Sequence, residues 1–436
     1  MCSAFYINTF ESIKGEEKMK KKVLSMMLVA AMGASMLVGC GGKDSGNAGT
    51  EGGSANSGAD ANKTITIWVA DNVVDFTNEQ VEAFKTANPE YADYEVVIQP
   101  VGEGDAAGNM ITDVVGGADI YGFAQDQLAR LVSAGALMPV VDADEVKSNN
   151  VEGSVTAATV GDTLYAFPMT ADNGYFLYYD KSVVTDPSSL DAIIADCEAN
   201  GKTFYMDLAA WWQTAFFFGT GCELTYETDV DGNFTSCNVS YATEEGVAAL
   251  KAMINMHKSA AYVKNSDASN IPDAGAFVCG TWAVGQVKEA FGDNYAAVKL
   301  PTFEVDGTSY QMAGFSGYKL IGVKPQEDAD KLAACQALAK YLTSEEVQLA
   351  RYNAVGWGPS NKVALEDEAV KADEALAAMK DQEQYCTAQG QYPGDYWSAG
   401  DALGDSVNAG EFDGYTDEQL MEVLVNFEES VQASVQ

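Results

Sequence analysis

Thr64-Ile65-Thr66-Ile67-Trp68-Val69 is the stretch from which the fold can be read. Its β-branched residues alternate in the way of a strand with one buried face. Outward from it, Asn78 to Ala87 predicts a helix with Val81 and Phe84 inward, stopped by Asn88-Pro89. Tyr94 to Pro100 reads as a second strand, Gly108 to Val115 as a helix, and Asp119 to Phe123 as a third strand. Gln125 to Ala134 is another helix, closed by Gly135. Strands alternating with helices imply an α/β layer with a mostly parallel sheet. Further on, Thr203–Leu208 and Phe277–Trp282 read as strands, and Glu244 to Lys258 as a helix with Val247, Leu250, Met253 and Ile254 inside. Asp328 to Tyr352, Glu366 to about Ala388, and Asp417 to Gln432 are expected to be helical.

Before the first strand, Gly41 to Asn62 is nearly all Gly, Ser, Ala, Asn and Asp. Such a segment buries too little apolar surface to offset its ordering entropy and reads as a tether over residues 40–62. Ahead of it, Lys20-Lys21-Lys22 is followed by an apolar run from Val23 to Val38 that ends in Leu37-Val38-Gly39-Cys40. A basic start, a short apolar stretch and small residues at its end make a secretory leader over residues 1–39. The run is shorter than the roughly 20 residues a spanning helix needs. Its ending resembles the bacterial lipobox, which makes Cys40 the acylated first residue of the mature chain. Met1 to Lys18 is neither basic nor periodic, so translation is expected to begin at Met19.

Removing residues 1–39 leaves 20 basic and 61 acidic side chains, a net charge near −41. That excludes a nucleic-acid partner, which needs a basic surface, and adhesion to anionic lipid. The membrane would be reached only through the acyl group. His257 is the only histidine and no Cys-x-x-Cys pair exists, so neither a metal nor a cofactor is expected. A Ser/His/Asp catalytic arrangement is not credible with that histidine late in a helix. Gly102-Glu103-Gly104 lacks the Gly-Lys-Ser/Thr ending of a phosphate loop. Cys222 and Cys237 flank the turn signal Asp231-Gly232; they form either a disulfide across that hairpin or two free thiols.

The order of segments resembles the solute-binding lipoproteins of sugar importers, especially the maltose/maltodextrin-binding group. The resemblance covers nearly all of residues 63–436. It is carried by Ile65-Thr66-Ile67-Trp68, Ala118-Asp119-Ile120, Gly135-Ala136-Leu137-Met138-Pro139-Val140, Tyr165-Ala166-Phe167-Pro168 and Leu177-Tyr178-Tyr179-Asp180-Lys181. Gly280-Thr281-Trp282, Leu300-Pro301-Thr302-Phe303 and Leu342-Thr343-Ser344-Glu345-Glu346 continue the series. The resemblance implies a two-lobed α/β fold of the type II periplasmic-binding-protein kind, with ligand in the cleft between lobes that close by hinge motion. It places residues 63–171 and 301–344 in one lobe, and 172–300 and 345–436 in the other. It also implies a monomer with no enzymatic activity, held at the outer face of the bacterial cytoplasmic membrane. Such a protein would take up an oligosaccharide, of maltodextrin type, and deliver it to the membrane permease subunits of an ABC importer.

A sugar ring offers C–H groups on its face and hydroxyls at its edge, so its site stacks aromatic rings and points carboxylates or amides inward. The resemblance marks Phe123, Trp212, Trp282 and Trp397 as platforms. It marks Asn72, Asp126, Asp172 and Asn173 as hydroxyl partners. Trp211 falls in the same region, while Trp68 and Trp357 read as packing residues. Asn72-Val73 stands where a lysine is often found, and Gln127 where an arginine is common. Both changes remove cationic donors, which points to a longer or cyclic glucan held mainly by stacking. The competing readings are a polyamine-binding protein, a ferric-iron binder using Tyr178 and Tyr179, and an exported glycoside hydrolase. Translation from Met19 and acylation at Cys40 predict that mass spectrometry of the membrane-held protein finds a lipid-modified Cys40 peptide and nothing from residues 1–18. A peptide joining residues 1–18 to the leader would overturn the start.

Overall fold

The computed structural model describes residues 63–435; the leader, the tether and Cys40 lie outside the described residues. Strand Thr64–Val69 buries Ile65, Ile67 and Val69 on one face, as its alternation requires. It lies parallel between Glu95–Pro100 and Ile120–Ala124. Lys319–Val323 then pairs antiparallel with Ile120–Ala124 on one side and with Ala166–Thr170 on the other. The first sheet is therefore mixed, because one strand returns from far along the chain.

A second five-stranded sheet has the same character. Thr203–Tyr205 lies parallel to Tyr262–Val263 and Ala274–Cys279, whereas Phe176–Asp180 runs antiparallel to Ala274–Cys279 and to Tyr295–Val298. Ala274–Cys279 is buried at all six positions, as expected of a strand covered on both faces. Each sheet has its own hydrophobic core, and the half-buried Trp282 packs against both. The protein is thus two α/β lobes, and the chain passes between their cores at residues 171–174, 316–319 and after Trp357.

Several expected elements are shorter or divided. The first helix begins earlier, at Val74, and the next spans Glu103–Thr112. The stretch 328–352 is two helices, Ala329–Leu342 and Glu345–Val355, because the Ser344 side chain accepts from the Val347 N–H and starts a new one. Glu366 to Ala388 breaks likewise at the Asp373 cap, and its end is the strand Cys386–Ala388. The segments assigned to each lobe also shift. Phe303, Val305 and Phe315 are in the second core, while helix Glu345–Val355 follows the first-core helix Ala329–Leu342 and buries Arg351 against Phe76.

The hairpin around Asp231-Gly232 forms from Leu224–Thr228 and Phe234–Val239, with Gly232 at φ +84°. Its register sets Cys237 opposite Tyr226, not opposite Cys222, and both thiols are free. Helix Gly394–Asn408 docks through its small residues: a Cβ at Gly404 would lie 1.7 Å from the Leu208 carbonyl oxygen. Gly404→Ala must push the helix from that backbone and should lower stability by about 1–3 kcal/mol, read from urea unfolding. An unchanged midpoint would show that the helix can shift freely.

Candidate functional site

The two sheets bring most of the expected polar residues to the seam between the lobes. Asp172 follows the first-sheet strand Ala166–Thr170, just where the chain crosses to the second lobe. Its side chain is 1% exposed. One oxygen, Oδ2, accepts from the Gly358 backbone N–H at 2.6 Å and from the Thr281 hydroxyl. The other, Oδ1, has no donor. Arg351, also buried, contributes positive charge nearby; burial lowers its guanidinium to about 10 against the opposing pull of Glu103 and Asp172.

Asp126 sits in the 3-10 turn that follows strand Ile120–Ala124. Its carboxylate accepts from Gln389 Nε2 at 3.0 Å and from the Gln127 amide. The same Gln389 side chain accepts from Asn173 Nδ2 at 3.1 Å, so one amide joins two expected residues. Gln391 adds to this seam by accepting from the Ala129 N–H at 2.8 Å and donating to the Gln125 carbonyl at 2.8 Å. Gln389 and Gln391 were not among the expected residues. A Gln-rich run without periodicity carries no signal of its own, and only the fold sets it against Asp126.

Aromatic rings line the same seam. Tyr175 makes an edge contact with Trp211 at 4.8 Å and a tilted one with Trp212 at 4.9 Å, and Trp211 reaches Trp282 at 5.9 Å. Trp397 lies against Tyr392, Tyr396 and Phe315. Its indole N–H is near enough to weigh on the Asp126 carboxyl, although no hydrogen bond joins them. Trp212 is the more buried of the adjacent pair and Trp211 the more open, so Trp211 is better placed to offer a ring face. The helix Ala210–Thr220 presents successive residues 100° apart, and hydropathy alone could not choose between two tryptophans.

Two expected residues fall elsewhere. Phe123 is completely buried in the first core, packed 5.7 Å from Tyr121, and offers no face to a ligand. Asn72 is exposed in the turn after the first strand, with no part in the Asp126–Gln389–Asn173 network. Trp357 is buried in the first core, as a packing residue should be, but its indole N–H has no acceptor and Lys319 lies over its ring. The adjacent Tyr178 and Tyr179 point to opposite faces of their strand, Tyr178 donating to the Gly280 carbonyl at 3.0 Å. They do not converge on an ion. A groove of about 270 Å³ along Leu190, Ile194, Met256 and Phe303 contains none of the candidate residues.

Asp172 Oδ1, Thr170 Oγ1 and the indole N–H groups of Trp211, Trp357 and Trp397 are all buried without partners. Buried polar atoms are normally paired, so unpaired ones beside these tilted and edge-on rings make the seam the candidate site. Asp126 and one oxygen of Asp172 are held by protein donors, which leaves Asp172 Oδ1 unmatched.

These features define a two-lobed binding protein. Residues 79–378 match the bacterial extracellular solute-binding proteins, and the chain belongs to that family. It is 24% identical over 416 residues to the galactooligosaccharide-binding protein of Bacillus subtilis (strain 168), covering 91% of this chain and 94% of that one. A solved structure described as "with acarbose" superposes with TM-score 0.75 at 28% identity, over 86% of this chain and 99% of the other. The ligand-free maltodextrin-binding protein MalE1 from L. casei BL23 gives TM-score 0.67 at 22% identity, over 85% and 98%. Among the described residues no helix is long and apolar enough to cross a membrane.

Burial pushes the Asp126 carboxyl from 3.8 up to about 7, while the Arg130 charge and the Gln127 amide pull it down. With its folded-state pKa above the unfolded one, the folded protein holds the extra proton between those values. That stability is fully present below about pH 4 and is lost as pH rises through about 7. Asp126→Asn should therefore flatten the decline of Tm between about pH 4 and 7 and raise stability at the upper end by up to a few kcal/mol. Parallel thermal melts across this range test it; an unaltered slope would mean that Asp126 stays ionised.

Proposed function

We propose that this chain is the substrate-binding component of an ABC importer, which captures an oligosaccharide and hands it to the membrane permease. The observation that carries the reading is the set of unpaired buried polar atoms beside Trp211, Trp282 and Trp397 at the seam between the lobes. Family membership supports the binding role, and the relatives' own ligands support the class. One is named for galactooligosaccharides, one for maltodextrin, and one was solved with acarbose. Within that class we favour a maltodextrin-type α-glucan, because rings outnumber charged donors along the seam. The protein acts as a monomer at the outer face of the cytoplasmic membrane, anchored through lipid on Cys40. Ligand-binding roles go to Asp126, Asp172, Asn173, Trp211, Trp282 and Trp397, with Trp212 backing Trp211.

A cationic polyamine fits less well, since Lys319 places an ammonium within 4.9 Å of the Trp282 ring centroid. The test is a tryptophan-fluorescence titration against linear glucans of increasing length, cyclodextrin, galacto- and xylo-oligosaccharides, and spermidine. One sugar series is expected to give a saturating change that grows with chain length, and Trp282→Ala to weaken it by roughly tenfold or more. A response to spermidine alone, weakening steeply with salt, would replace the substrate.

A further inference from the structure

Lys319 begins the strand Lys319–Val323, opposite Ala124 on one side and Thr170 on the other. It is only 5% exposed. Its ammonium lies 3.9 Å from the Trp357 ring centroid and 4.9 Å from that of Trp282. Among the described residues it has no hydrogen-bond acceptor and no ion-pair partner. Two π faces offset part of the cost of burying a cation, but they leave its three N–H groups unmatched.

Asp172 Oδ1 is the complementary orphan, an acceptor with no donor. Both groups are framed by the same two dipeptides. In Thr281-Trp282, the threonine hydroxyl donates to Asp172 Oδ2 and the tryptophan ring faces Lys319. In Trp357-Gly358, the ring again faces Lys319 and the glycine N–H donates to Asp172 Oδ2. Lys319 is, moreover, the sheet partner of Thr170, two residues before Asp172, and the Thr170 hydroxyl is also unpartnered. An unmatched donor and an unmatched acceptor are thus flanked by the same two indole-bearing dipeptides.

We infer that Lys319 is a specificity-determining residue of the cleft, resting on the oligosaccharide reading above. With Asp172 Oδ1 it brackets one sugar hydroxyl, which donates its proton to the carboxylate oxygen and accepts from the ammonium. The half-buried Trp282 ring covers the adjoining C–H surface, while Trp357 backs Lys319 from the core. Lys319 thereby supplies the cationic donor that Asn72 and Gln127 do not, from a strand instead of a loop. The same ammonium disfavours a cationic group at this position of the ligand.

The experiment is calorimetry on the full mature chain in detergent, with the best oligosaccharide from the panel and its singly deoxygenated analogues. Lys319→Met should weaken the parent sugar roughly ten- to a hundredfold. At one hydroxyl position, removal should cost the wild type heavily and the variant little, a coupling that loss of packing alone would not produce. Lys319→Arg, which keeps the cation over the rings, should retain more affinity than Lys319→Met and serves if the methionine variant does not fold. Equal affinity in wild type and variant, or deoxy penalties unchanged at every position, overturns the role of Lys319 while leaving the sugar reading intact. A wild-type protein that binds no oligosaccharide overturns both.

Discussion

The buried carboxylate of Asp172 is the constraint on which the rest of the molecule turns. A carboxylate removed from water must be matched by donors, and Asp172 draws them from both sides of the seam: Thr281 after a second-sheet strand and Gly358 beyond a helix packed on the first lobe. Arg351 adds positive charge nearby. The carboxylate therefore ties the crossing segment to two distant parts of the chain. Because both donors meet Oδ2, Oδ1 is left free to meet something else.

That division makes the seam a joint that also holds the candidate site. The first core and the second core are separate, and Trp282 is the ring that packs on both. Around it, amides do the joining: Gln389 bonds Asp126 and Asn173 together, and Gln391 holds the backbone of Gln125 and Ala129. Amides can exchange partners at little cost compared with buried ion pairs. The acids that dominate the composition play little part here. Most are exposed, and their ion pairs, such as Lys251 with Asp306 and Lys371 with Glu366, lie away from the seam.

Asp126 shows how the site departs from the surface in kind. Exposed acids such as Asp186 and Asp229 are held low by local N–H and O–H donors, whereas burial moves Asp126 toward neutrality. A carboxyl poised in that way can accept from a ligand hydroxyl or donate to it, depending on its proton. Lys319, inside two indoles, is the one cation of the described residues that rests over two tryptophan rings.

The sequence by itself determined the alternation of elements, and hence the α/β class. Ile65, Ile67 and Val69 can only be one face of a strand, and Asn88-Pro89 can only end a helix. Through the order of segments that resembles a known family, it also singled out Asp126, Asp172, Asn173, Trp282 and Trp397 as candidates. Tertiary structure alone decided what depends on contacts between distant residues. The return of Lys319–Val323 into the first sheet makes both its pairings antiparallel, which no local pattern encodes. The same strand sets Lys319 between Trp282 and Trp357, which are 75 residues apart in sequence. Phe123 went into a core and Trp211, not Trp212, to the more open position, because burial follows which face the finished lobe covers. A residue's type tells what it can bind; its neighbours across the fold decide whether anything is left for it to bind.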